Sequence, residues 1–179
     1  MERSIQLTRS GKAGRETGST KEIERKTNTT SNGRLKEQVY DIKGTDLRKI
    51  ACMILMNTPT PDYVRVCARV RNEINAKLRT YKASDLSRSL PGSPDCECEY
   101  ICEKMIEQKC KCYYCHTDFL MLYKNKRDPL QWSVDRIDNS RAHCEGNVVI
   151  SCLQCNLKRR TRECKEFYDC RNMRIEKEY

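Results

Sequence analysis

An α+β fold built around a small metal-stapled unit is what three features of this chain predict. Two Cys-x-x-Cys pairs, Cys112/Cys115 and Cys152/Cys155, stand with 36 residues between them. Two short strand-like runs, Trp132 to Asp135 and Asn147 to Ile150, lie inside that interval. Apolar residues at helical spacing precede the first pair, and a basic helical stretch follows the second. A thiolate pair two residues apart can bite one metal from a tight turn, and a second pair completes a tetrahedral set. Cys112, Cys115, Cys152 and Cys155 are therefore expected to hold one structural zinc ion. The expected organisation is a basic disordered tail over 1–36, a helical region over 37–92 and the zinc-stapled unit over 93–179.

Charge narrows the class of partner. Charged residues make up 34% of the 179, and the net charge is +10. Such a balance suits an acidic polymer or anionic surface, although solubility alone also accounts for it. Thirteen cysteines would suit a secreted disulfide scaffold, but the first 33 residues carry no apolar segment of the secretory kind. An odd count with Cys-x-x-Cys spacing points instead to a reducing, intracellular setting with metal-bound thiolates. No apolar run is long enough to span a bilayer, so no membrane partner is expected.

Taken in order, residues 1–36 carry nine Lys or Arg against four Glu and almost no large apolar side chains. They are expected to stay disordered, as a solvated tail or a weak phosphate-binding arm. Leu47, Ile50, Ala51, Ile54 and Leu55 recur at threes and fours, with Asp46 favouring the start of that helix. The stretch Asn57-Thr-Pro-Thr-Pro61 ends it. A second helix opens near Pro61 or Asp62, with Val66, Val70, Ile74 and Leu78 as its core stripe. Its flank of Arg65, Arg69, Arg71, Lys77 and Arg79 suits either solvent or a nucleic-acid backbone. Cys52 and Cys67, inside these apolar stretches, read as buried thiols. Leu90-Pro-Gly-Ser-Pro94 reads as a linker, with Ser93 as N-cap and Pro94 as first residue of a third helix. That helix shows Tyr100, Ile101, Met105 and Ile106 on its apolar face, and carries Cys96, Cys98 and Cys102 as free thiols.

Between the cysteine pairs, Phe119 to Tyr123 suits a strand or a helical turn, and Lys124 to Pro129 a charged turn. Trp132 and Val134 should share one strand face, Ser133 and Asp135 the other. Ile137 breaks that alternation. From Cys152 onward the chain reads as one basic helix, with Lys158, Arg159, Arg160 and Arg162 as nucleic-acid contacts.

The order Cys-x-x-Cys, Val134-Asp-Arg-Ile-Asp-Asn139, Asn147-Val-Val, Cys152-x-x-Cys-Asn156 and trailing Lys/Arg resembles the HNH endonucleases. These are the zinc-stapled branch of the ββα-metal nucleases, and the likeness is greatest to the Asp-Arg-Ile-Asp-Asn branch of large DNA viruses and phages. It covers about a third of the chain, and extends weakly back through Arg79 to Asp85. The resemblance implies a ββα-metal domain that hydrolyses DNA phosphodiester bonds. It assigns Asp135 and Asn156 as ligands of a catalytic Mg²⁺ or Mn²⁺, hard oxygen donors suited to a hard ion. It assigns Asn147 to bracing the active-site loop.

In the family a histidine base directly follows the acidic ligand, whereas here Arg136 follows Asp135. His143, in the loop after Asp135 and one of only two histidines, is then the candidate general base. Arg136 reads as a phosphate clamp, or as the mark of a catalytically inactive DNA-binding or viral structural protein. Asp138 reads as a turn cap, His116 as a surface residue beside a metal site already filled, and Cys144, Cys164 and Cys170 as bystanders.

Overall fold

The computed structural model describes residue 42 and residues 44–173. The expected tail over 1–36 lies outside them. The described chain is α+β: helices α1 (Gly44–Met56), α2 (Val64–Ser87) and α3 (Cys98–Glu107), strands β1 (Trp132–Arg136) and β2 (Val148–Cys152), then helices α4 (Leu153–Arg159) and α5 (Cys164–Asn172). Helix α1 ends at Asn57, whose positive φ of 52° precedes the two prolines. Leu47, Ile50, Ala51 and Ile54 bury the predicted face of α1, which packs chiefly against α3. Arg71 of α2 bonds Glu99 of α3 and the Ile54 carbonyl of α1, tying the three helices together. No helix among the described residues is long and apolar enough to cross a membrane.

The two strands pair antiparallel, with Trp132 opposite Cys152, Val134 opposite Ile150 and Arg136 opposite Val148. Both faces are covered, since Trp132, Ser133, Val134 and Asp135 are all buried. Burial on both faces accompanies the packing of α4 over both strands. The strand edges are covered too. Gln108 brackets Ile150, its Nε2 donating to the carbonyl at 2.7 Å and its Oε1 accepting from the amide at 2.9 Å. On the other edge Leu120 bridges Gln131, donating to Leu130 O and accepting from Trp132 N on either side of it. The apolar run 119–123 is thus an edge cover joined by an isolated bridge, neither a regular strand nor a helical turn.

Helix α2 supplies the rest of that cover. Beside its buried Cys67, Val70 and Ile74 runs a polar stripe at strict fours: Glu73, Lys77, Tyr81 and Asp85. Glu73 accepts from the Tyr123 hydroxyl at 2.9 Å. Lys77 donates to the Trp132 carbonyl and lies over the Trp132 ring, 4.3 Å from its centroid. The Tyr81 hydroxyl accepts from Val134 N at 3.3 Å, and Asp85 reaches His143. Lys77 is therefore no member of a basic solvent-facing flank. Burial pushes its ammonium down to about 8, against the opposing pull of Glu73.

Three boundaries differ from expectation, each for a tertiary reason. The third helix begins at Cys98 with Glu97 as N-cap, four residues after the predicted start, so Cys96 precedes it. The segment before it straps the 142–146 loop instead: Pro91 O accepts from Ala142 N at 2.9 Å, and Asp95 from Glu145 N at 3.4 Å. Gly92 adopts φ 98° in that strap, a conformation unstrained only for glycine. One apolar core runs from Ile42 to Phe167, on both sides of the 92/93 position. The basic helix after Cys152 breaks at Arg160, whose φ is 55°, so Cys164 and Phe167 turn inward on a separate helix while Cys170 stays exposed. Replacing Ile74 with Ala should lower stability by about 2–5 kcal/mol. Helical circular dichroism and the fluorescence of Trp132, the one tryptophan, should report the same shifted urea midpoint; two separate midpoints would show that α2 and the hairpin unfold independently.

Candidate functional site

Cys112, Cys115, Cys152 and Cys155 bring their four sulfurs within 4.8 Å of one another. Tetrahedral thiolates about 2.3 Å from a zinc ion stand about 3.8 Å apart, and Cys115 Sγ lies 3.9 Å from Cys152 Sγ. The set is therefore positioned to bind one metal ion and fits zinc. The first pair sits in a tight turn where Cys112 N donates to Thr117 O and His116 N to Cys112 O. The second pair straddles the junction of β2 and α4, with Cys152 as the helix N-cap. Hydrogen bonding with Cys152, and burial next, hold the Cys112 thiol well above its ordinary range, and burial raises Cys155. A metal entering here must displace protons, and its binding contributes to folding. Cys110 is buried outside the set, and His116 is exposed, edge-on to Tyr168.

Asp135 projects from β1 toward α4 and is 6% exposed. Its Oδ2 accepts from the Tyr114 hydroxyl at 2.7 Å and its Oδ1 from Arg159 Nη1 at 2.9 Å. Burial raises its carboxyl above the usual range, opposed by the Tyr114 bond and the Arg159 charge. Arg159 is 1% exposed and also donates to the carbonyls of Arg136 and Ile137. It leaves the set of expected nucleic-acid contacts: a guanidinium this buried, bonded to a carboxylate and two carbonyls, is a structural cation. Three residues back on α4, Asn156 directs its amide nitrogen at Ser133 Oγ and Val134 O, at 3.2 and 3.3 Å. Asn156 thus approaches the strand that carries Asp135. A carboxylate and an amide oxygen are hard donors of the kind Mg²⁺ or Mn²⁺ takes, and Arg159 already occupies Asp135 Oδ1.

On the hairpin loop, Asn147 accepts from Asp138 N at 2.9 Å and donates to the carbonyls of Asp138 and Ala142. One amide thereby ties both ends of the 138–142 turn. Asp138 caps that turn, accepting from the Ser140 amide and hydroxyl. His143 is 9% exposed. Its backbone N–H and its Nδ1 both meet Asp85 Oδ2, at 2.7 and 2.8 Å. Its ring stacks on Tyr81, centroids 4.6 Å apart. Burial lowers its pKa from the ordinary value, with the Arg136 charge acting the same way and Asp85 opposing. Arg136 donates to Arg141 O and stands 3.8 Å from Asp85. With Nη1 so held it is a charge beside His143 before it is a free clamp.

Beside this junction α4, the break at Arg160 and α5 enclose a groove of about 900 Å³. Arg127, Lys158, Arg160, Arg162 and Arg171 line it without any acidic residue, around Leu157 and Phe167. Arg162 lies over the Phe167 ring at 4.6 Å, so its guanidinium plane is held in place.

Tyr81 and Asp85 lie in the segment to which the resemblance weakly extends, where the sequence assigns them no role, although the polar repeat at 73, 77, 81 and 85 is a signal for them; Tyr114, inside the first Cys-x-x-Cys, carries no such signal. Comparison with protein-family models, with curated protein sequences and with solved structures returns no match to this chain.

Cys155→Ser should release the bound metal, seen as a loss of about one equivalent per chain by elemental analysis together with a lower melting temperature. Arg159→Ala should cost about 3–5 kcal/mol in urea denaturation, because it strands a buried carboxylate; a cost below 1 kcal/mol would mean that Asp135 is open to water.

Proposed function

We propose that this protein is an HNH-type, metal-dependent endonuclease acting on DNA, with a structural zinc ion in its four-cysteine site. One juxtaposition carries the reading. Helix α4, joined to the hairpin through Cys152 and Cys155, sets Asn156 against the strand bearing Asp135, with a loop histidine within electrostatic range and an acid-free groove alongside.

Each residue then has a task its surroundings support. Asp135 and Asn156 would hold Mg²⁺ or Mn²⁺. Bound there, the ion supplies charge stabilisation for the scissile phosphate and the leaving oxygen. His143, kept neutral by burial, takes the proton of the attacking water. Arg136 holds positive charge beside the imidazole, and Asn147 keeps the loop in register. Lys158, Arg160 and Arg162, joined by Arg127 and Arg171, grip the phosphate backbone, a grip that weakens as salt rises.

A second reading, DNA binding without cleavage, is favoured by one observation: the Asp135 carboxylate is already neutralised by Arg159. Incubation of supercoiled plasmid with Mg²⁺, Mn²⁺ or EDTA separates the two. Nicking is expected with either ion and not with EDTA, and His143→Ala should slow it about 10²- to 10⁴-fold with DNA affinity retained. Binding that lowers with salt, unaccompanied by cleavage under any ion, would establish the second reading.

A further inference from the structure

The nuclease reading leaves open what prepares His143, and the residue that contacts it most directly comes from helix α2. Asp85 stands 58 residues earlier, in the last turn of α2. It is 2% exposed. A carboxylate that deep requires partners, and its hydrogen bonds to the hairpin loop converge on His143. A single oxygen, Oδ2, accepts from the His143 backbone N–H and faces the ring at Nδ1. Tyr81, one turn earlier on α2, covers the ring face. Arg136, from β1, is the other charge beside Asp85, and Asp135 is near enough to act on His143 electrostatically.

The chemistry of this contact is directional. An ionised carboxylate only accepts, so the ring nitrogen facing it must carry the proton. The other nitrogen, Nε2, makes no hydrogen bond among the described residues and is not one of the sealed, unpartnered polar atoms. With Nδ1 carrying the proton, the Nε2 lone pair is left without a donor among the described residues.

We infer that Asp85 is a positioning residue for phosphodiester hydrolysis, fixing His143 as the Nδ1–H tautomer so that Nε2 accepts the proton of the attacking water. This role rests on the nuclease reading, but its structural half does not. The strap 91–97 and helix α2 then belong to the active unit, because the aspartate on α2 sets the chemistry of a loop that the strap holds.

The test reads the ring directly. With only two histidines in the chain, long-range ¹⁵N–¹H correlation spectra of the zinc-loaded, full-length protein resolve His143 from His116. The wild type should show His143 with a protonated Nδ1 and a bare Nε2. Asp85→Ala should release the ring into a mixture of tautomers, and should slow plasmid nicking about 10- to 100-fold with DNA affinity changed less than twofold. Because a buried loop tether is also lost, Asp85→Asn accompanies it: that variant can still accept the His143 amide, so a folded, zinc-loaded Asp85→Asn with slowed nicking separates the charge from the tether. A wild-type ring protonated on Nε2, or full nicking by both variants, overturns the inference. Should the wild type show the expected tautomer yet never cut DNA, the nuclease reading falls, and the catalytic role of Asp85 with it.

Discussion

Two strands make no stable sheet by themselves, because each leaves an edge of unpaired amides and carbonyls and a face that a five-residue strand cannot bury alone. That constraint organises this molecule. One edge of the hairpin is bracketed by the Gln108 side chain and the Tyr113 amide. The other is taken by the 119–123 run, the Lys77 ammonium and the Tyr81 hydroxyl. Remove those covers and the residues between the cysteine pairs have no regular structure to belong to. The four-cysteine site acts on the same problem from the ends, closing the turn at Cys112 onto the start of α4.

Covering the hairpin on all sides has an electrostatic consequence. Asp135 on one face and Asp85 against the loop are both removed from water, and each needs a nearby cation or donor. Arg159 and Tyr114 serve the first; the His143 amide and ring, with Arg136, serve the second. The interior thus holds two polarised clusters, each joining β1 or its loop to a distant element. They give the packing a specificity that apolar contacts alone would not supply. They also divide the arginines by depth. Arg159 is buried against Asp135, while its neighbours Lys158, Arg160 and Arg162 are exposed on the lining of the groove.

That division links architecture to the proposed activity. The groove's lining is cationic and free of acidic residues, with the Arg162 guanidinium carbon 4.6 Å from the Phe167 ring centroid, and the proposed DNA partner would meet it there. The hairpin loop carrying His143 adjoins it through Asn139, whose amide donates to the Arg160 carbonyl. In the proposed nuclease the basic groove and His143 would therefore share one braced scaffold, and the strap from Pro91 to Asp95 holds the loop at Ala142 and Glu145.

Local spacing carried much of this within the sequence. Two Cys-x-x-Cys pairs point to a four-thiolate set, because a tight turn can bring residues three positions apart to one ion. The recurrence of Leu47, Ile50, Ala51 and Ile54, and of Val70 and Ile74, determines two helices and their buried faces, since 3.6-residue periodicity is a property of the segment itself. The β-branched run at 148–150 and the proline break after Asn57 are equally local. Only the tertiary structure decided that Ser93 and Pro94 would strap a loop instead of starting a helix, that Lys77 and Arg159 would be interior, and that Asp85 would face His143. Those outcomes depend on which surfaces meet across dozens of residues, and a charged side chain reads the same in sequence whether its partner is water or a buried ion of opposite sign.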